Sequence, residues 1–153
     1  MERTLVLIKP CTIQRALVGE IVNRFEKKGL RIAGMKMMQL TDEILAEHYA
    51  HLVNKSFYPL LKESMTRTPV IAMCLEGVDA IAVVRRITGC TNGRQADPGT
   101  IRGDYCMSNQ QNIVHASDSP EAAAQELVRF FRPEEIFELG DLNISRLFAA
   151  DEL

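Results

Sequence analysis

Thr4-Leu5-Val6-Leu7-Ile8-Lys9-Pro10 begins as a nearly continuous apolar run and ends in a cation and a proline. It reads as a central strand that stops at Lys9-Pro10. From there the period changes. Ile13, Leu17, Val18, Ile21, Val22 and Phe25 form a helical stripe, closed by Lys27-Lys28-Gly29 with cations in its last turn and then a glycine. Leu30 to Leu40 reads as a second strand whose alternation breaks at Ala33-Gly34, the mark of a bulge. Thr41-Asp42-Glu43 opens a helical region that Pro59 divides into two helices before Thr68. Pro69 to Leu75 is a third strand, and Asp79 opens a short helix ended by Gly89.

Residues 89–111 read as a long polar loop containing Gly89, Gly93, Pro98, Gly99 and Gly103. A loop of that length in so short a chain is usually functional. Asn112 to His115 forms a fourth strand. Ser119 suits a helix cap and Pro120 the first helical position, and the helix runs to Phe131 with Ala123, Leu127, Phe130 and Phe131 on its core face. Residues 132–153 read as an extended tail. The order β-α-β, a helical insertion, then β-α-β-α predicts an α+β fold of the ferredoxin-like βαββαβ type. Its four-stranded antiparallel sheet would carry helices on one face and an extended C-terminal tail, all in one domain over residues 1–153.

Composition narrows the function. The 153 residues are 46% hydrophobic and 25% charged, with a net charge of −2, which argues against bulk attraction to nucleic acid or to an anionic membrane. No leader and no apolar run of membrane-spanning length is visible, so a cytoplasmic protein is expected. The four cysteines, Cys11, Cys74, Cys90 and Cys106, show no C-x-x-C spacing, which weakens zinc and thioredoxin-type readings. Cys74 reads as a buried small hydrophobe, whereas Cys11 and Cys90 fall near candidate phosphate-binding residues. His48 and His51 read as helix-surface residues rather than a metal pair, and Met35, Met37 and Met38 as strand packing.

No glycine-rich phosphate loop is present, so any phosphate must be gripped by side chains. Lys9 ends the first strand, Arg85 lies in the short helix, and Arg102 sits in the polar loop. Arginine forks bind phosphate oxygens bidentately and lysine acts as a compact charge. Together with His115 at a strand end, these cations point to phosphoryl transfer.

The chain resembles the nucleoside diphosphate kinases over essentially its whole length. The resemblance rests on Glu2-Arg3-Thr4 with Ile8-Lys9-Pro10, on Gln14-Arg15, on Leu17-Val18-Gly19-Glu20-Ile21 and on Arg24-Phe25-Glu26-Lys27-Lys28-Gly29. It rests most on Pro98-Gly99-Thr100-Ile101-Arg102-Gly103-Asp104 and Asn112-Ile113-Val114-His115-Ala116-Ser117-Asp118-Ser119. It implies a ping-pong exchange of the terminal phosphate between nucleoside tri- and diphosphates, with His115 as the nucleophile that becomes phosphorylated. A histidine suits this step: with an ordinary pKa of about 6.5 an imidazole is largely neutral at cellular pH and keeps a free lone pair without a strong base.

By the same resemblance, Glu126 would orient the His115 ring and Ser117 would anchor Glu126. Lys9, Arg85, Thr91 and Arg102 would grip phosphate, with Tyr49 a nearby hydroxyl. Asn112 and Lys9 would read the ribose, and Phe57 and Leu61 would clamp the base without reading its edge. Mg²⁺ would arrive with the nucleotide, no protein cluster being dedicated to a metal. A homo-oligomer, tetramer or hexamer, is implied, with no specific nucleic acid and no membrane as partner.

The chain departs from the family pattern in three places. Cys11-Thr12 follows Lys9-Pro10 where Asp-Gly is usual, removing an acid and restricting the turn. Lys55-Ser56 precedes Phe57 where Arg-Pro is usual. Gly93 replaces a proline of the long loop, which predicts less local rigidity and altered assembly. Two rival readings are a nucleotide-binding module without turnover and a scaffold in which His115 only packs.

Overall fold

Every side chain from Thr4 to Ile8 is buried, because their strand, β1 (Glu2–Ile8), has a neighbour on each side and a hydrophobic layer over each face. In the computed structural model, which describes residues 1–141 and 143–153, the other strands are β2 (Arg31–Met38), β3 (Val70–Gly77) and β4 (Val114–Ala116). They form a four-stranded sheet in the order β2-β3-β1-β4. Each adjacent pair is antiparallel, the ferredoxin-like arrangement that the element order predicts.

The first apolar stripe forms two helices, not one. α1 (Pro10–Gln14) ends before Ala16, whose φ of 54° breaks the turn, and α2 (Val18–Lys28) follows. A left-handed alanine is costly and leaves no signature in hydrophobic period. α2 ends at Gly29 in a left-handed cap as its glycine predicts. The insertion folds as α3 (Asp42–His48), with Ile44 N–H donating to Thr41 Oγ1 at its start, and α4 (Tyr58–Thr66), with Pro59 in the first turn. α5 (Ala80–Thr88) follows β3.

Helices cover both faces of the sheet, contrary to the one-sided expectation. Val6 and Ile8 cluster with Ile21 and Phe25 of α2 and Val84 of α5. Leu5 and Leu7 cluster with Leu45 of α3, Leu61 of α4 and, from α7 (Pro120–Phe130), Phe130. Physically, β1 has no polar alternation and therefore no face to offer to water.

Two further segments are more ordered than expected. The 89–111 loop contains a 3-10 turn, Gly93–Gln95, and α6 (Ile101–Tyr105), where Gly103 N–H donates to Thr100 Oγ1 at 3.0 Å. The C-terminal tail carries α8 (Ile144–Leu147) and packs Ile136 and Leu139 against the second core. It crosses β2 at the bulge, where Phe137 N–H donates to Ala33 O at 2.8 Å and a Cβ on Gly34 would lie 2.7 Å from Glu135 O. The register shift between Ile32 and Gly34 is the predicted bulge. Met35 and Met37, read as packing residues, are instead exposed on β2, an edge strand of this sheet. Among the described residues no helix is long and apolar enough to cross a membrane.

Candidate active site

β4 is only three residues long, and its alternation decides where the histidine points. Val114 and Ala116 enter the core shared with α2 and α5, so His115 faces the opposite side, above its register partner Leu7. α7 lies on that side. Its start is set by Ser119 Oγ, which accepts from Ala122 N–H at 3.0 Å, with Pro120 next. The helical period then puts Ala123, Glu126 and Phe130 on one buried face.

Glu126 therefore meets the strand. Its Oε1 is 3.0 Å from His115 Nε2, and its Oε2 accepts from Ser117 Oγ at 2.6 Å. Ser117 is fully buried and also accepts from Leu5 N–H at 3.3 Å. Burial of Glu126 favours its neutral form, but the His115 hydrogen bond and charge, with Ser117 and His48, prevail and hold its carboxyl below the ordinary value. An ionised carboxylate only accepts, so His115 Nε2 carries the N–H and Nδ1 keeps the lone pair.

The cations assemble on the other wall. Lys9 Nζ lies 2.6 Å from Asn112 Oδ1. Burial first and the Arg102 charge second lower Lys9 to about 8. Arg102 belongs to α6 rather than to open loop, and three of its N–H groups are taken by backbone carbonyls: Nε by Asn112 at 3.0 Å, Nη1 by Gly89 at 3.0 Å and Nη2 by Val114 at 2.7 Å. It thus ties α5, the loop and β4 together. Burial and the Arg85 charge lower it to about 10. Arg85 and Thr91 are exposed at the rim, and Thr91 O accepts from Asn112 Nδ2 at 3.3 Å.

Phe57 and Leu61 stand at the start of α4, and Tyr49 offers a buried hydroxyl with no hydrogen-bond partner among the described residues, its pKa raised by burial. All the sequence-predicted residues except Ser117, which lies behind Glu126, line one cleft of about 420 Å³. That volume suits a small-molecule ligand.

Thr12, where the family pattern has glycine, is fully buried and donates from Oγ1 to Ile113 O at 2.6 Å. Lys9 N–H donates to the same carbonyl at 3.0 Å. Ile113 needs the support, because its φ of 74° is strained for a β-branched residue.

His48 is misread by sequence. It is buried, not on the helix surface, and its ring meets that of His115 edge-on at 4.4 Å and 83°. The signal was available: Leu45, His48 and Tyr49 share the buried face of α3 at helical spacing. His51 is exposed in the following 3-10 turn, at the edge of the cleft. His48, His115 and Glu126 bring ligand-type atoms within 4.8 Å of one another. Two of the three are already engaged, however: Glu126 with His115 and Ser117, and His48 Nδ1 with Arg129 Nη1 at 3.3 Å.

Residues 2–136 match the family model described as nucleoside diphosphate kinase. A nucleoside diphosphate kinase of Parabacteroides distasonis is 65% identical over 152 residues, covering 99% of each chain. One from Rhodopirellula baltica is 54% identical over the same length and coverage. Among solved structures, a halophilic nucleoside diphosphate kinase of Halobacterium salinarum in complex with CDP superposes with a TM-score of 0.93 at 39% identity, over 97% of this chain and 99% of that one.

Proposed function

Because this chain belongs to the nucleoside diphosphate kinase family, whose members exchange terminal phosphates through a phosphohistidine, we propose that His115 is its phosphate carrier. The activity itself is that of the family: ping-pong transfer from a nucleoside triphosphate to a nucleoside diphosphate. The observation that carries the residue assignment is the chain of bonds Ser117–Glu126–His115 at the wall of a cleft that also holds Lys9 and Arg102.

The steps follow from that geometry. The Nδ1 lone pair attacks the terminal phosphorus, the bond to the bridging oxygen breaks, and the diphosphate leaves with those electrons. The Nε2 proton stays on the ring, held by Glu126, which stabilises the positive charge the ring acquires. A terminal oxygen of the second nucleotide's diphosphate then attacks the same phosphorus, and the ring departs neutral. Lys9, Arg85, Thr91 and Arg102 stabilise charge on the transferring group, and Tyr49 adds a hydroxyl. For Arg102 this uses the N–H groups that the three carbonyls leave over. Asn112 and Lys9 hold the sugar, and Phe57 and Leu61 the base, as a diphosphate such as the CDP bound by the Halobacterium salinarum protein would require.

Mg²⁺ would arrive with the nucleotide and would supply charge neutralisation at its phosphates beside Lys9, Arg85 and Arg102. The cleft fits a metal that comes with its substrate, since its lining acids among the described residues are Asp118 and the already engaged Glu126. Residues 1–153 act as one domain in the cytoplasm, assembled as a homo-oligomer, tetramer or hexamer. The exposed Met35 and Met37 on an edge strand support assembly, because unpaired edges with apolar side chains seek partners.

The experiment is incubation with ATP labelled at the terminal phosphate. Wild-type protein should take up label that survives alkali and is lost in acid, and His115→Ala should take up none. Acid-labile label persisting in His115→Ala would overturn the assignment.

A further inference from the structure

Ser117, Glu126 and His115 form one chain of bonds; His48 and Arg129 form a second behind it. Arg129 follows Glu126 by almost one turn of α7. It donates from Nε to Glu47 Oε1 at 2.8 Å and from Nη1 to His48 Nδ1 at 3.3 Å. A guanidinium has donors only, so His48 Nδ1 must accept and the imidazole proton sits on Nε2. That same Nδ1 lies 3.8 Å from Glu126 Oε1, the oxygen that His115 Nε2 meets at 3.0 Å. Two imidazoles thus flank one carboxylate oxygen.

Resting on the reading of His115 as phosphate carrier, we propose that Arg129 is a positioning residue: by occupying the His48 Nδ1 lone pair it keeps His48 from pairing with Glu126 and reserves that carboxylate for His115. His48 cannot turn away to escape the competition. Its ring is wedged edge-on against Tyr49 at 4.6 Å, His115 at 4.4 Å and Phe130 at 5.1 Å.

The groups facing His48 are Lys9 from the end of β1, Tyr49 beside it, His115 from β4, and Glu126 and Arg129 from α7. Of the charged ones, Glu126 alone favours an imidazolium. Burial first, then His115, Arg129 and Lys9, oppose it and push His48 down to about 3. Without Arg129, Nδ1 would be free and one opposing charge gone. A proton from solvent could then settle on Nδ1 as the pH falls, and the imidazolium would draw Glu126 Oε1 away from His115.

The test is the pH profile of kcat/KM for phosphate exchange in wild type, Arg129→Leu and Arg129→Lys, with nitrogen-edited NMR of the imidazoles. Arg129→Leu should stay within about two-fold of wild type at about pH 8 and fall about five-fold or more below it at about pH 5.5. Arg129→Lys, which keeps a charge and a donor, should recover most of that loss. By NMR, wild-type His48 should hold its proton on Nε2 throughout, and His48 of Arg129→Leu should gain an Nδ1 proton as activity is lost. Superimposable profiles for wild type and Arg129→Leu overturn the inference. So does an Nδ1-protonated His48 in the wild-type protein, which needs no variant. Failure of the His115 reading shows separately, as acid-labile label persisting in His115→Ala.

Discussion

Lys9 is a buried cation whose hydrogen bonds, among the described residues, run to the uncharged oxygens Gln110 O and Asn112 Oδ1. With Arg102 adding repulsion, it is a charge short of an anion, which suits it to the phosphate-binding role proposed for it and makes it a titrating group. Its value of about 8 gives the sign: charged below that pH and neutral above it. The kcat/KM of the free enzyme should therefore decline as pH rises through about 8, whereas kcat, measured with phosphate bound beside the ammonium, should hold to higher pH. A basic limb of kcat/KM found only above about pH 10, the ordinary lysine range, would refute this. Lys9 and His115 were legible as candidates because each stands at the end of a short apolar run. His48 was legible only as a buried position at helical spacing with Leu45 and Tyr49, and Arg129 not at all, because a guanidinium on a helix reads as solvated until a second helix is laid against it.

At the scale of elements, the long polar loop shows what periodicity misses. Gly93 reads as a loosened proline position, yet the structure packs it closely. A Cβ there would lie 2.3 Å from Cys106 O and 2.5 Å from Cys106 Sγ, so nothing larger than glycine fits without moving backbone. Gly93→Ala should lower stability by about 1–3 kcal/mol, read as a shift of the urea midpoint at unchanged slope. A neutral result would mean that the loop yields. Thr12 makes the same point, since its hydroxyl pins the strained Ile113 from a distant part of the chain. Caps, by contrast, are local, and Thr41, Ser119 and the glycine ending α2 stand where the sequence predicts them.

For the whole molecule, the edge strand β2 leaves Met35 and Met37 uncovered beside a bulge tied down by the C-terminal tail. If assembly uses this edge, Met37→Lys should shift the solution mass towards smaller species by light scattering, because a charge would then be buried against an apolar partner. An unchanged mass would place the contact elsewhere. What the chain determines by itself is local: strand and helix order, the bulge, the caps, and the residue types that phosphoryl transfer needs, all set by period and by neighbours in sequence. Tertiary structure alone decided that helices cover both faces of the sheet, that the tail closes over β2, and that α3 and α7 bring His48 between the carboxylate bonded to His115 and the guanidinium of Arg129. Those outcomes depend on contacts between segments far apart in the chain, which no window of sequence contains.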